Sequence, residues 1–153
     1  MTDETPAAPV SGGGVPWHLW VVGLLGILWN GFGATDFAMT FIDRAMWFET
    51  MGVTAEQAAR MDAMPAWTYG AWVAGTWGAF LGTVALLFRS RWAVYLFWVS
   101  MIGLLVSLVY TFGFSSFRAE LGQSDMMMYG FIFLGAAFFL WYAITMARRG
   151  VLR

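Results

Sequence analysis

Four stretches free of Asp, Glu, Lys and Arg dominate this chain: residues 5–35, 63–88, 92–117 and 126–147. A hydrocarbon core about 30 Å thick is crossed by about 20 apolar helical residues, and backbone polar groups inside it must be satisfied within the helix itself. Each stretch meets that length, so the sequence predicts an all-α fold, an integral membrane four-helix bundle. Composition agrees. Hydrophobic residues make up 60% of the 153 positions and charged ones 11%, far from the balance of soluble domains.

The expected spans are 17–41, 66–88, 92–114 and 126–146, inside a transmembrane domain covering 17–147. Trp17, Trp20, Trp47, Trp67, Trp92 and Tyr129 fall near the span ends, where amphipathic rings settle at headgroup level. Residues 1–16 hold Asp3 and Glu4 but no basic residue, so the positive n-region of a secretory signal is absent. Pro6, Pro9 and the stretch 11–14 favour irregular chain, and the segment reads as a retained, flexible cytoplasmic tail.

Orientation follows from arginine. Arg89 and Arg91 occupy the short turn between the second and third spans, and Arg148, Arg149 and Arg153 lie in a basic tail, 148–153. Both regions are assigned to the cytoplasm, which puts both termini there. The other connections hold Arg44, Arg60 and Arg118, outnumbered by Asp43, Glu49, Glu56, Asp62, Glu120 and Asp125, and suit the outer face. The first outer connection is too long for a turn. Thr54 with Gln57 fits a capping box, and Glu56 with Arg60 is an i,i+4 pair in the favourable order, predicting a short surface helix that Pro65 ends before leading into the second span.

The charge pattern excludes several function classes. All eight cations are arginines scattered along a chain of net charge −1, so no footprint for nucleic acid exists. There is no Cys, and the single His18 supplies no bis-histidine or multi-histidine metal site; it reads as an interfacial anchor. No Ser-His-Asp set, Walker loop, dinucleotide fingerprint or metal-binding His-x-x-x-His is present, so neither catalysis nor a cofactor is expected. Eight of eleven methionines (Met39, Met46, Met51, Met61, Met64, Met126, Met127 and Met128) lie at the proposed outer side. Thioethers suit Cu(I), but without Cys or His at that face flexible apolar filling is the reading adopted, and no metal site is assigned.

Polar residues inside the spans are the candidates for function. In the first span Gly23, Gly26, Asn30, Gly33 and Thr40 recur at three-and-four spacing, so Asn30 lies on a face that another helix can approach closely. Asn30 either bonds a neighbouring helix or faces a polar cavity. Asp36 is the only acidic residue within a span, where a carboxylate is expensive unless paired, protonated or wet. Asp43 or Arg44 is placed to pair with it structurally; otherwise it serves a proton or a solute. Trp29 shares a stripe with Gly33, Asp36 and Thr40. In the second span Gly70, Ala74, Gly78 and Gly82 form small-xxx-small steps, a packing signature, while Trp72 and Trp77 offer ring faces for a planar or sugar-like ligand. The third span adds Ser100, Gly103, Ser107 and Tyr110 on one face, mostly a packing pattern. The solute-binding candidates are therefore Trp29, Asn30, Asp36, Trp72 and Trp77.

In chain order, Trp17-His18-Leu19-Trp20, Trp29-Asn30-Gly31-Phe32-Gly33-Ala34-Thr35-Asp36, Thr54-Ala55-Glu56-Gln57, Met64-Pro65-Ala66-Trp67 and Arg89-Ser90-Arg91-Trp92-Ala93 resemble a group of small bacterial membrane proteins labelled "sugar transporter". The likeness spans most of the first three spans and is weaker over the fourth. It implies four helices, a bacterial inner-membrane location and transport of a small neutral solute; the label brings no residue roles with it. Four helices alone rarely enclose a path, so transport implies a homo-oligomer. The competing expectation is an accessory or assembly subunit of a larger membrane complex, whose glycine faces and aromatic surfaces contact partner helices.

Overall fold

The computed structural model describes residues 14–114 and 122–153. Those residues form six α-helices in chain order: α1 (Trp17–Ile42), α2 (Arg44–Met51), α3 (Ala55–Asp62), α4 (Ala66–Leu87), α5 (Trp92–Val109) and α6 (Gln123–Arg148). Four of them, α1, α4, α6 and α5 with its continuation to Phe114, are long and apolar enough to cross a membrane. That is the build of a multi-pass membrane protein. Pro16 and Pro65 stand immediately before α1 and α4, where a missing N–H costs nothing.

Contacts along the helices define an antiparallel order. Gly23 meets Leu87, Gly26 meets Thr83, Phe37 meets Trp72 and Phe41 meets Tyr69, so α1 rises as α4 falls. Gly82 against Phe97, Gly78 against Ser100 and Trp67 against Tyr110 pair α4 with α5 in the same sense. Phe97 then stacks on Phe139 of α6, ring centroids 5.7 Å apart. Lipid tails are as apolar as leucine, so close approach and dispersion hold such helices together more than hydrophobic burial does.

The closest backbone approach lies between α4 and α5. A Cβ at Gly103 would stand 2.6 Å from the Ala71 carbonyl oxygen, and one at Gly78 would stand 3.1 Å from the Ser100 nitrogen. Ser100 completes this seam by donating its hydroxyl to the Gly75 carbonyl at 2.6 Å.

Packing is uneven along the bundle. The buried core of Leu19, Leu86, Ala93, Phe97, Ala143 and Met146 gathers where α1 and α5 begin and α4 and α6 end. At the opposite end α6 loosens: its buried residues start only at Phe139. The third span also changes pitch there, closing with a π-helical turn over Tyr110–Phe114 instead of running as α-helix to residue 114. Helix α6 itself begins at Gln123, three residues before the expected 126, because the Asp125 carboxylate accepts the Gly122 N–H at 3.0 Å and closes the first turn.

Residues 42–65 contain two short helices where the sequence analysis expected one. Asp43 starts α2 by accepting the Met46 N–H, and Gly52 ends it in the left-handed region at φ 67°. Helix α3 has the expected Thr54–Gln57 capping box and stops at Asp62, three residues short of Pro65, which leads into α4 as expected.

Residues 148–153 do not form a free basic tail. Helix α6 closes in a Schellman turn, Gly150 at φ 69° and Val151 donating to the Met146 carbonyl, and this sends the chain back across the bundle end. Arg153 then exchanges backbone hydrogen bonds with the α4–α5 turn, donating to the Arg89 carbonyl at 2.7 Å and accepting from the Arg91 N–H at 3.0 Å. Leu152 is fully buried beneath. Arg89, in a second Schellman turn, takes a left-handed φ of 58°, a conformation that costs a non-glycine residue of order 1 kcal/mol. The expected 1–16 tail and the orientation residues Arg118 and Glu120 lie largely or wholly outside the described residues.

Candidate functional site

Asn30 does not open onto a cavity. It is buried, and its Nδ2 donates to the Thr83 hydroxyl at 2.8 Å across the α1–α4 interface. Thr83 in turn donates to the Ala79 carbonyl, so the hydroxyl both accepts and donates. Gly26, one turn earlier on α1, makes the approach possible: a Cβ there would stand 2.7 Å from the Thr83 methyl and 2.9 Å from the Phe139 ring.

Asp36 also finds a partner other than those expected. Its Oδ1 accepts the Trp47 indole N–H at 2.9 Å, and Trp47 leans against Phe32. Arg44 instead bonds Asp62 and the Ala58 carbonyl, tying α2 to α3, and lies over the Phe48 ring. Asp43 is occupied in capping α2. Tyr69 donates to the Met61 carbonyl and fixes the far end of α3 to α4. The α2–α3 segment is thus fastened over one end of α1 and α4, and Asp36 is its anchoring acceptor on α1.

The aromatic candidates scatter. Trp29 precedes Asn30 by one residue, about 100° of helix rotation, so it points outward, half exposed, into an open groove of about 590 Å³ between α1 and α6. Trp72 sits edge-on to Phe37 at 5.0 Å, inside the α1–α4 contact. Trp77 is turned outward against Phe80. Trp29, Asn30, Asp36, Trp72 and Trp77 therefore do not line one pocket, and the correction has a plain cause: positions one or five residues apart on a helix face different directions.

The packing glycines divide similarly. Gly23, Gly26, Gly78 and Gly82 lie where a Cβ would collide with the next helix or press closely on it, and Gly33 meets only Thr76 at 3.7 Å. Among the described residues, nothing lies within 4 Å of a Cβ added at Gly70, so none of them packs on that face. Three contacts were invisible to the sequence reading: Thr83 as the partner of Asn30, Trp47 as the partner of Asp36, and the Tyr142 hydroxyl 2.6 Å from His18 Nδ1. The last makes His18 a link between α1 and α6 as well as a residue of the rim. Each joins residues whose meeting depends on how the helices pack, and only Trp47, eleven residues from Asp36, is close in the chain.

Charge is sharply divided. Among the described residues every Asp and Glu lies at or near the end carrying α2 and α3, and Arg89, Arg91, Arg148, Arg149 and Arg153 share the opposite rim. Met126, Met127 and Met128 are all exposed at successive helical positions, so their sulfurs diverge. Comparison with protein-family models, curated proteins and solved structures gives no match.

Proposed function

We propose that this chain is a non-catalytic subunit of a membrane assembly, held in the bacterial inner membrane with both termini in the cytoplasm and the α2–α3 segment outside. One observation carries the reading: the first half of α6 contributes no buried residue, although it belongs to a helix of spanning length. Gly130 on that half and Gly70 on α4 have open Cβ positions, the small-residue surfaces on which membrane helices approach one another. Asn30, Thr83 and Ser100 are engaged in bonds between helices, and Thr40 and Thr68 bond their own helix backbone, which leaves the exposed helix faces as the working surface. Mild extraction from native membranes followed by mass analysis tests this. A stoichiometric partner supports it, and a lone chain or a clean homodimer overturns it.

A second reading is small-solute transport by a homo-oligomer, in line with the "sugar transporter" resemblance. Asp36 favours it, being a half-buried carboxylate with one indole donor on a span of otherwise uncharged residues. Proteoliposome flux over a panel of sugars, compared between wild type and Asn30→Ala and Asp36→Asn, tests it. No flux, together with unaltered behaviour of both variants in cells, removes it.

A further inference from the structure

We propose that the seam between α1 and α6 binds one anionic phospholipid, with its phosphate at Arg149 and an acyl chain in the groove beside Trp29. The groove is apolar throughout, walled by Leu25, Leu28 and Phe32 on α1 and by Phe138 on α6, with Phe139 behind. On α6, Gly135, Phe138, Tyr142 and Arg149 follow at three, four and seven residues and so share one stripe. The Tyr142 contact with His18 fixes that stripe as the one facing α1. Arg149 ends it, two helical turns beyond Tyr142 at the C-terminus of α6.

Depth matches a lipid. Phe138 precedes Arg149 by eleven residues, and Leu28 follows Trp17 by eleven, which at 1.5 Å per residue places the groove about 16 Å below the rim. That is about half of a hydrocarbon core of about 30 Å, the reach of one acyl chain.

Charge selects the occupant. No carboxylate lies within ion-pair distance of Arg149 among the described residues, and its neighbours Arg148 and Arg153 are also cations. A guanidinium holds phosphate through paired N–H donors. A second copy docked side by side on this seam brings its own Arg148 and Arg149 to the same rim, like charge against like.

The test is native mass spectrometry of the purified full chain after exposure to equimolar phosphatidylglycerol and phosphatidylcholine. One phosphatidylglycerol is retained per chain, preferred several-fold. Arg149→Gln lowers that retention several-fold, and so does Gly135→Leu, whose Cβ stands 3.4 Å from the edge of Trp29 and whose branch extends into the groove. Leu28→Trp, at an exposed wall position, fills the groove by a second route and has the same effect. Arg60→Gln, at the opposite end, changes nothing. Equal retention of both lipids overturns the proposal. So does anionic lipid that persists in both groove variants, lipid displaced by millimolar inorganic phosphate, or a lipid-free dimer cross-linked through the seam.

Discussion

Asn30 and Thr83 form the polar joint of the α1–α4 interface, a 2.8 Å hydrogen bond between buried side chains 53 positions apart. Hydrogen bonds between membrane helices are worth about 0.6–2 kcal/mol. Asn30→Ala and Thr83→Ala are each expected to lower stability, and a double-mutant cycle isolates a coupling in that range. Unfolding in mixed micelles measures it. Additive losses would mean that the two side chains do not support one another.

Glycine substitutions should separate by position. Gly103→Leu and Gly78→Leu force α4 and α5 apart at their backbone contact and should cost at least about 2–3 kcal/mol or abolish folding. Gly70→Leu meets open space and should leave the thermal stability of the isolated chain within about 0.5 kcal/mol. Fluorescence-detected gel filtration after heating reads all three. In native membranes Gly70→Leu is the informative variant, because loss of a co-purifying partner there would assign its face to the assembly.

Trp47→Phe keeps a ring against Phe32 but removes the indole N–H from Asp36. The fold of the four long helices should survive while the α2–α3 segment loosens, seen as several-fold faster proteolysis within residues 44–62. Arg44→Gln should add little to this, since the Arg44–Asp62 pair is largely exposed and such pairs are worth about 0–1 kcal/mol.

Leu152→Ala should cost about 2–4 kcal/mol, a core-like penalty for a residue close to the end of the sequence. Gly150→Ala should cost about 1 kcal/mol through its left-handed backbone. Thermal unfolding in detergent compares both with Arg148→Gln, a change on an exposed side chain expected to be near neutral.

The long helices were legible because each contains a charge-free apolar run of spanning length, and α3 because Thr54 and Gln57 mark its start within four residues. Asn30 was readable as a polar residue on a packing face, but its partner was not: Thr83 is one of several hydroxyls, and only the α1–α4 register selects it. The glycines of α4 looked alike in sequence, yet Gly78 packs and Gly70 does not, since α5 crosses close to one and not the other. The pairing of Arg44 with Asp62 in place of Asp36 reflects the α2–α3 hairpin, a turn at Gly52 with no span-like signature. Residues 148–153 read as a basic tail because three of the six are arginine and one is glycine, while the backbone bonds that fold them over the bundle reach to the distant Arg89–Arg91 turn.

That last contact orders events during synthesis. The carbonyl that receives the Arg89 guanidinium belongs to Val151, 62 positions later. Counted from the end of α5 at Val109, at about 5–20 residues per second the α4–α5 hairpin waits roughly 2–8 s with its mouth unsealed and the left-handed Arg89 turn unsupported. Anything that must thread into this end of the bundle, or inspect it, has that interval in which to act.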